Sequence, residues 1–67
     1  MNITVEFERE NTTKTVEFTG TTVKEFLSQL NVNEQTVLVV RNNQVITSDI
    51  SLQEKDFLRL LSVISGG

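Results

Sequence analysis

The 67-residue sequence contains no cysteine and no histidine. Without cysteine there is no disulfide framework, no thiolate nucleophile and no zinc–thiolate site. Without histidine the commonest general base and the commonest metal ligand are missing. The Ser and Thr hydroxyls therefore have no histidine beside them, and the carboxylates show no clustered spacing. The chain reads as a protein that is not itself an enzyme, with no bound cofactor or metal. No apolar run approaches the length of a membrane span, and no signal-peptide core follows Met1-Asn2-Ile3-Thr4. A soluble, cytoplasmic protein with no membrane partner is expected. A basic stripe is missing too. Arg9, Lys14, Lys24, Arg41, Lys55 and Arg59 are scattered among nine acids, for a net charge of −3. Nucleic-acid binding needs clustered cations to neutralise phosphates, so no nucleic-acid partner is expected. An acidic body suits a protein partner with a basic docking surface. Sixty-seven residues make one domain. A chain of that size buries only about 60% of its unfolded surface, which leaves no room for both a core and a deep substrate pocket.

Glycine is scarce: of three in the chain, two are Gly66 and Gly67. A diglycine has no Cβ on either residue, so its backbone can pass a channel too narrow for any side chain. The chemistry this suggests is done to the protein, at Gly67, by a partner. The competing reading is a frayed tail or a cloning remnant.

Patterning supplies the body. In residues 3–8, Ile3, Val5 and Phe7 alternate with Thr4, Glu6 and Glu8, a half-buried strand. Residues 9–13 read as a turn. Val16 and Phe18 then alternate with Thr15, Glu17 and Thr19, and the two strands form a hairpin whose Glu6, Glu8 and Glu17 make a solvated face. Gly20 breaks the pattern. Thr22 and Glu25 have capping-box spacing, and Val23, Phe26, Leu27 and Leu30 form one apolar stripe on a short helix that Asn31 ends. Residues 36–41 are apolar at consecutive positions, as in a strand covered on both faces or one with a partner-binding outer face. Asn42-Asn43 is a two-residue hairpin turn, followed by a return strand over residues 44–47. Residues 48–56 are polar, with Ile50 and Leu52 as anchors under a loop. Residues 57–64 form the last strand, with Leu58 and Leu60 on one face and Phe57 and Leu61 on the other. The order strand, strand, helix, strand, strand, strand gives an α+β fold. Connection length and handedness point to a β-grasp (ubiquitin-like) roll, a mixed sheet of four to five strands packed on one short helix.

With these residues in place the chain resembles the ubiquitin-like sulfur carriers of the ThiS and MoaD type. Lys55-Asp56-Phe57-Leu58-Arg59-Leu60 is similar to the family's Asp-led last strand, and Ser62-Val63-Ile64-Ser65-Gly66-Gly67 to its tail. Val39-Val40-Arg41-Asn42-Asn43-Gln44 looks like its strand and Asn-Gly-Glu turn. Two positions depart: Asn43 stands where the family favours Gly, and Lys55 replaces the Gly usual before Asp56. The absence of long insertions is closer to the thiazole-forming ThiS branch than to the larger molybdopterin branch.

The resemblance implies a globular domain over residues 1–63 and a flexible tail over residues 64–67, with mobility setting in from about Ser62. It implies an E1-like adenylating enzyme that uses ATP and magnesium to activate the Gly67 carboxylate. A persulfide sulfur donor protein and a sulfur-accepting synthase complete the partners, and the carrier itself is a monomer when alone. Sulfur then leaves from a thiocarboxylate toward thiamine, molybdopterin or tRNA. Gly66, Ser65 and Ile64 would insert with Gly67 into the partner. Two other readings remain: a modifier joined through Gly67 to lysines of target proteins, and a plain interaction domain. For docking, Phe57, Leu61, Leu38 and Val40 form a candidate exposed apolar patch, with Arg59 and Arg41 near its rim. Two alternatives stand beside this: Ile50 and Leu52 cover the face, or Val37 and Val39 replace Leu38 and Val40 in register.

Overall fold

The alternation at the amino end forms strand β1, Asn2–Phe7, in a computed structural model that describes residues 1–63. Ile3 and Val5 are fully buried and Phe7 is half-buried against them. A single 3-10 turn, Glu8–Glu10, closes on Asn11, whose φ of 52° is in the left-handed region that Asn tolerates. Strand β2, Thr12–Glu17, returns antiparallel, with Ile3 opposite Val16 and Phe7 opposite Thr12. It begins three residues before the expected Thr15, and Phe18 lies past its end. The reason is that ladder bonds are made by backbone. The polar run Thr12-Thr13-Lys14 pairs with β1 although its side chains show no buried alternation. Phe18 stays in place through its N–H, which bonds the Met1 carbonyl at 2.7 Å.

Helix α1, Val23–Gln29, starts on the expected capping box. The Thr22 Oγ1 accepts the Glu25 N–H at 3.4 Å, while the Glu25 carboxylate accepts the N–H groups of Thr22 at 3.0 Å and Thr21 at 2.8 Å. Those backbone bonds, the one from Thr22 first, hold the Glu25 carboxyl below the usual glutamate range. Their contribution is present above the ordinary glutamate pKa and is lost as pH falls through the lowered one. Asn31, at φ 61°, ends the helix, and the Val32 N–H bonds the Leu27 carbonyl at 2.9 Å. Gly20 has no positive φ; it is there for space. A Cβ on it would stand 2.7 Å from the Phe18 ring, and that ring packs edge-on against Phe26 with centroids 5.1 Å apart.

Strand β3, Val37–Arg41, and strand β4, Gln44–Ile46, are joined by Asn42 and Asn43, both left-handed at φ 54° and 64°. Two consecutive positive φ values are what a two-residue hairpin turn requires. Thr36 belongs to a 3-10 turn, Glu34–Thr36, and not to the strand. The last strand, β5, is Phe57–Ser62. It runs parallel to β1 and antiparallel to β3, so the sheet order is β2-β1-β5-β3-β4. This is the expected mixed sheet of the β-grasp roll. Its inner face carries Ile3, Val5, Val39, Leu58 and Leu60, and α1 supplies Val23, Phe26 and Leu27. Leu52 joins them from the long loop, held by its N–H on the Thr21 carbonyl at 2.8 Å.

Ser62 pairs with Val37, and the Val63 N–H bonds the Thr36 carbonyl at 3.0 Å. The β3–β5 ladder and the turn before β3 thus both reach to the end of the described residues.

Lys55 is the unusual turn residue. Its φ is 69°, and its N–H bonds the Asn2 carbonyl at 2.8 Å. A side chain with a Cβ is disfavoured there by about 1–2 kcal/mol, part of which glycine loses again through its freer unfolded chain. Lys55→Gly is therefore expected to stabilise the fold by about 0.5–1 kcal/mol. The urea midpoint would rise with an unchanged slope. A lower midpoint would show that the lysine side chain makes a compensating contact.

Candidate functional site

Strand β5 sorts its side chains by parity. Leu58 and Leu60 are buried under α1, so Phe57, Arg59 and Leu61 face the other way. Strand β3 is sorted by its pairing with β5. Val39 is opposite Leu60 and 5% exposed, which settles the register and leaves Leu38 and Val40 on the outer face. Leu38 is beside Leu61 and Val40 is beside Arg59. The four expected patch residues and the rim residue Arg59 thus share one face of two adjacent strands. Phe57 is 49% and Leu38 42% exposed, while Val40 and Leu61 are half-buried by their neighbours.

Among the described residues, nothing covers the outer face. The loop anchors do not cover it: Leu52 is in the core on the helix side and Ile50 packs against that core. Sheet and helix form two layers, so one face of the sheet is left to solvent or to a partner. Large exposed apolar surfaces of this kind mark interaction sites.

The two rim arginines differ. Arg59 belongs to the face. Its Nε donates to the Glu6 carboxylate at 3.2 Å across the β1–β5 pair, and that half-exposed bridge lays the guanidinium along the sheet toward Glu6. An ion pair this exposed contributes about 0–1 kcal/mol and serves mainly to fix direction. It also makes Glu6 a partner of Arg59 and not a purely solvated acid. Arg41 does not rim the patch. It has the parity of Val39, and its guanidinium donates to the Asp56 carboxylate at 3.0 Å and to the Ser51 carbonyl at 3.3 Å. Asp56 in turn accepts the Gln53 N–H at 2.8 Å. Arg41 ties the β3–β4 hairpin to the loop that starts β5, a structural role.

The patch also has a member that was not expected, Val45, which is 61% exposed and pairs with Val40. A signal for it was present. Once Asn42 and Asn43 form a two-residue turn, Arg41 must oppose Gln44 and Val40 must oppose Val45. Beside them, Val40, Asn42, Asn43, Phe57 and Arg59 line a shallow depression of about 300 Å³. Across the sheet the apolar area ends at Thr4 and Thr15, whose hydroxyls share a 3.1 Å hydrogen bond.

The remaining expected site residues, Gly67, Gly66, Ser65 and Ile64, lie outside the described residues. What the structure gives is the root of that segment. β5 is the strand that carries Phe57, Arg59 and Leu61, and the chain continues from it through Val63 to residues 64–67. The open face and the diglycine are thus on one continuous stretch of backbone.

Among known proteins, the ThiS family model matches residues 3–67. Sulfur carrier protein TtuB from Thermus thermophilus is 40% identical over 45 residues, which is 67% of this chain and 69% of that protein. The family match begins in β1 and ends on Gly67 itself, so it takes in the sheet, its open face and the diglycine together: the chain belongs to the ThiS family of ubiquitin-like sulfur carriers.

Proposed function

We propose that this cytoplasmic sulfur carrier holds its sulfur as a thiocarboxylate on Gly67, made with the help of an E1-like adenylating partner. A carboxylate is a poor electrophile, because its oxygen is a poor leaving group. The partner uses ATP and magnesium to convert the Gly67 carboxylate into an acyl-adenylate, releasing pyrophosphate. The sulfur of a donor's persulfide attacks the acyl carbon and AMP leaves. Cleavage of the resulting acyl disulfide by a thiol frees the thiocarboxylate, which a sulfur-accepting synthase consumes. Nucleophile and transition-state stabilisation both come from partners, and the chain supplies an end of small cross-section and a face to hold it by. Gly66, Ser65 and Ile64 enter the partner's channel. Phe57, Leu61, Leu38, Val40 and Val45, with Arg59, form the docking face.

The observation that carries this reading is the extension of the family match to Gly67, with the apolar outer face on the strand that leads there. The acceptor classes remain those the resemblance implies: the thiazole of thiamine, molybdopterin or tRNA. The test is intact mass. The chain is incubated with an adenylating enzyme from the same organism, ATP, magnesium, a persulfide donor and a thiol. The expected product is heavier by the exchange of one oxygen for sulfur and is absent when ATP is omitted. An unchanged mass in the complete mixture would overturn the proposal. Joining to other polypeptides in place of sulfur uptake would favour the modifier reading.

A further inference from the structure

At the end of the body where β5 finishes, a second apolar feature lies off the open face. It is a groove of about 190 Å³ between the β1–β2 turn and the start of β3. Phe7, Val32, Val37 and Leu60 form its walls, and Ser62 and Thr36 lie at its edge. Phe7, Val37 and Leu60 have inward parity in their strands, so the groove is the open end of the core layer. None of these residues belongs to the Phe57 patch.

The polar atoms around the groove do not ask for a ligand. The Thr36 Oγ1 donates to the Asn33 carbonyl at 2.8 Å, and the Thr36 carbonyl already accepts the Val63 N–H. Arg9 and Glu10 flank it with opposite charges, which gives no net attraction for an ion of either sign. What is left is apolar wall, and a volume that takes one branched or thioether side chain but not a nucleotide.

Chain length decides what faces the groove. Four residues, 64–67, follow Val63, and at about 3.3–3.6 Å each they reach at most about 13–14 Å. If Gly67 is to react inside a partner, the mouth of that partner's channel must come within this distance of Val63. The groove adjoins Ser62, the residue before Val63. The groove therefore lies within the distance at which the rim of the channel must stand.

We infer that the groove receives an apolar side chain (Leu, Ile or Met) from the rim of the adenylating partner's channel, as a second contact beside the Phe57 face. This rests on the function proposed above. With the outer face it would grip the carrier on both sides of β5, fixing the direction in which residues 64–67 enter.

The experiment measures ATP–pyrophosphate exchange by the adenylating enzyme as the carrier concentration is varied. The carriers are wild type, Val32→Asp and the milder Val37→Thr, each checked for an unchanged thermal unfolding profile. Methyl spectra of the wild-type carrier are recorded in parallel with and without enzyme. The inference expects a rise of about tenfold in KM for Val32→Asp and a smaller rise for Val37→Thr, with kcat retained, because Gly67 is untouched. It also expects shifts at the Val32, Val37 and Leu60 methyls when enzyme is added. If Val32→Asp fails to fold, Val37→Thr and the methyl shifts decide. Wild-type exchange with unchanged KM in folded variants and silent methyls would overturn the groove contact alone. Shifts that appear with carrier concentration in the absence of enzyme would assign the groove to a second copy and also overturn it. If the wild type supports no exchange at all, the function proposed above fails and the groove contact falls with it.

Discussion

Deleting Gly67 is expected to reduce ATP–pyrophosphate exchange to background while leaving the fold intact. The separation of the two effects follows from where the core ends. Among the described residues its last member in sequence is Leu60, and the last backbone bond is the one from Val63 to Thr36. Residue 67 is seven positions beyond that last core residue, so the unfolding midpoint is expected to stay within error. The chemistry should not survive. Deletion moves the reacting carboxylate back by one residue, about 3.5 Å, and a misplacement of even about 1 Å can reduce a positioned reaction by about a hundredfold. Adding residues after Gly67 should act as strongly, because it replaces the carboxylate by a peptide bond. Gly66→Ala should act in the same direction but more weakly, since it leaves the carboxylate in place and only adds a methyl to the segment that must pass the channel. Full exchange by a chain with a carboxyl-terminal tag still attached would sink the assignment of Gly67.

The parts of this fold that were legible are those where one face of an element is buried. Ile3 and Val5 alternate because β1 has one wet side, and Thr22 with Glu25 marks a helix start because backbone N–H groups there need acceptors. Leu58 and Leu60 could be told from Phe57 and Leu61 for the same reason. The apolar outer face followed from a simple count: both β3 and β5 are apolar on two sides, and one helix covers one side. The misses have a common cause as well. The start of β2 is polar on both faces because it is an edge strand, so no periodicity marks Thr12. Arg41 looks like a rim residue until its partner is known, and Asp56 is fifteen residues away, brought near only by the loop that Leu52 anchors. The left-handed turns at Asn11, Asn31, Asn42 and Asn43 suit asparagine, which visits that region more readily than other side chains. Lys55 adopts the same φ without such help. It was legible only because the family resemblance marks that position as one for glycine.

Two neighbouring apolar residues should answer the question of the docking face, because they occupy opposite sides of β5. Leu58 is fully buried, and Leu58→Ala is expected to cost about 2–5 kcal/mol through lost burial and the cavity left behind. A domain of this size seldom has more than about 3–5 kcal/mol from its core, so the variant should be largely unfolded by circular dichroism at room temperature. Phe57 is half exposed on the other face, opposite Thr4. Phe57→Ser removes sheet propensity but leaves no buried hole, so its effect on stability should stay within about 1 kcal/mol. Its effect on partner binding should be much larger. A protruding aromatic side chain flanked by Val40 and Arg59 across a shallow depression has the features of an interface anchor, and truncating such an anchor typically loses about 2 kcal/mol or more. Titration calorimetry with the adenylating enzyme should therefore show binding weakened by more than about tenfold for Phe57→Ser. Arg59→Ala should produce a smaller, salt-dependent loss, as expected for a rim charge. The order of these effects is the test. If Phe57→Ser unfolds the protein, Phe57 belongs to the core. If the variant stays folded and binds as tightly as wild type, the outer face is not where the enzyme docks, however apolar it is.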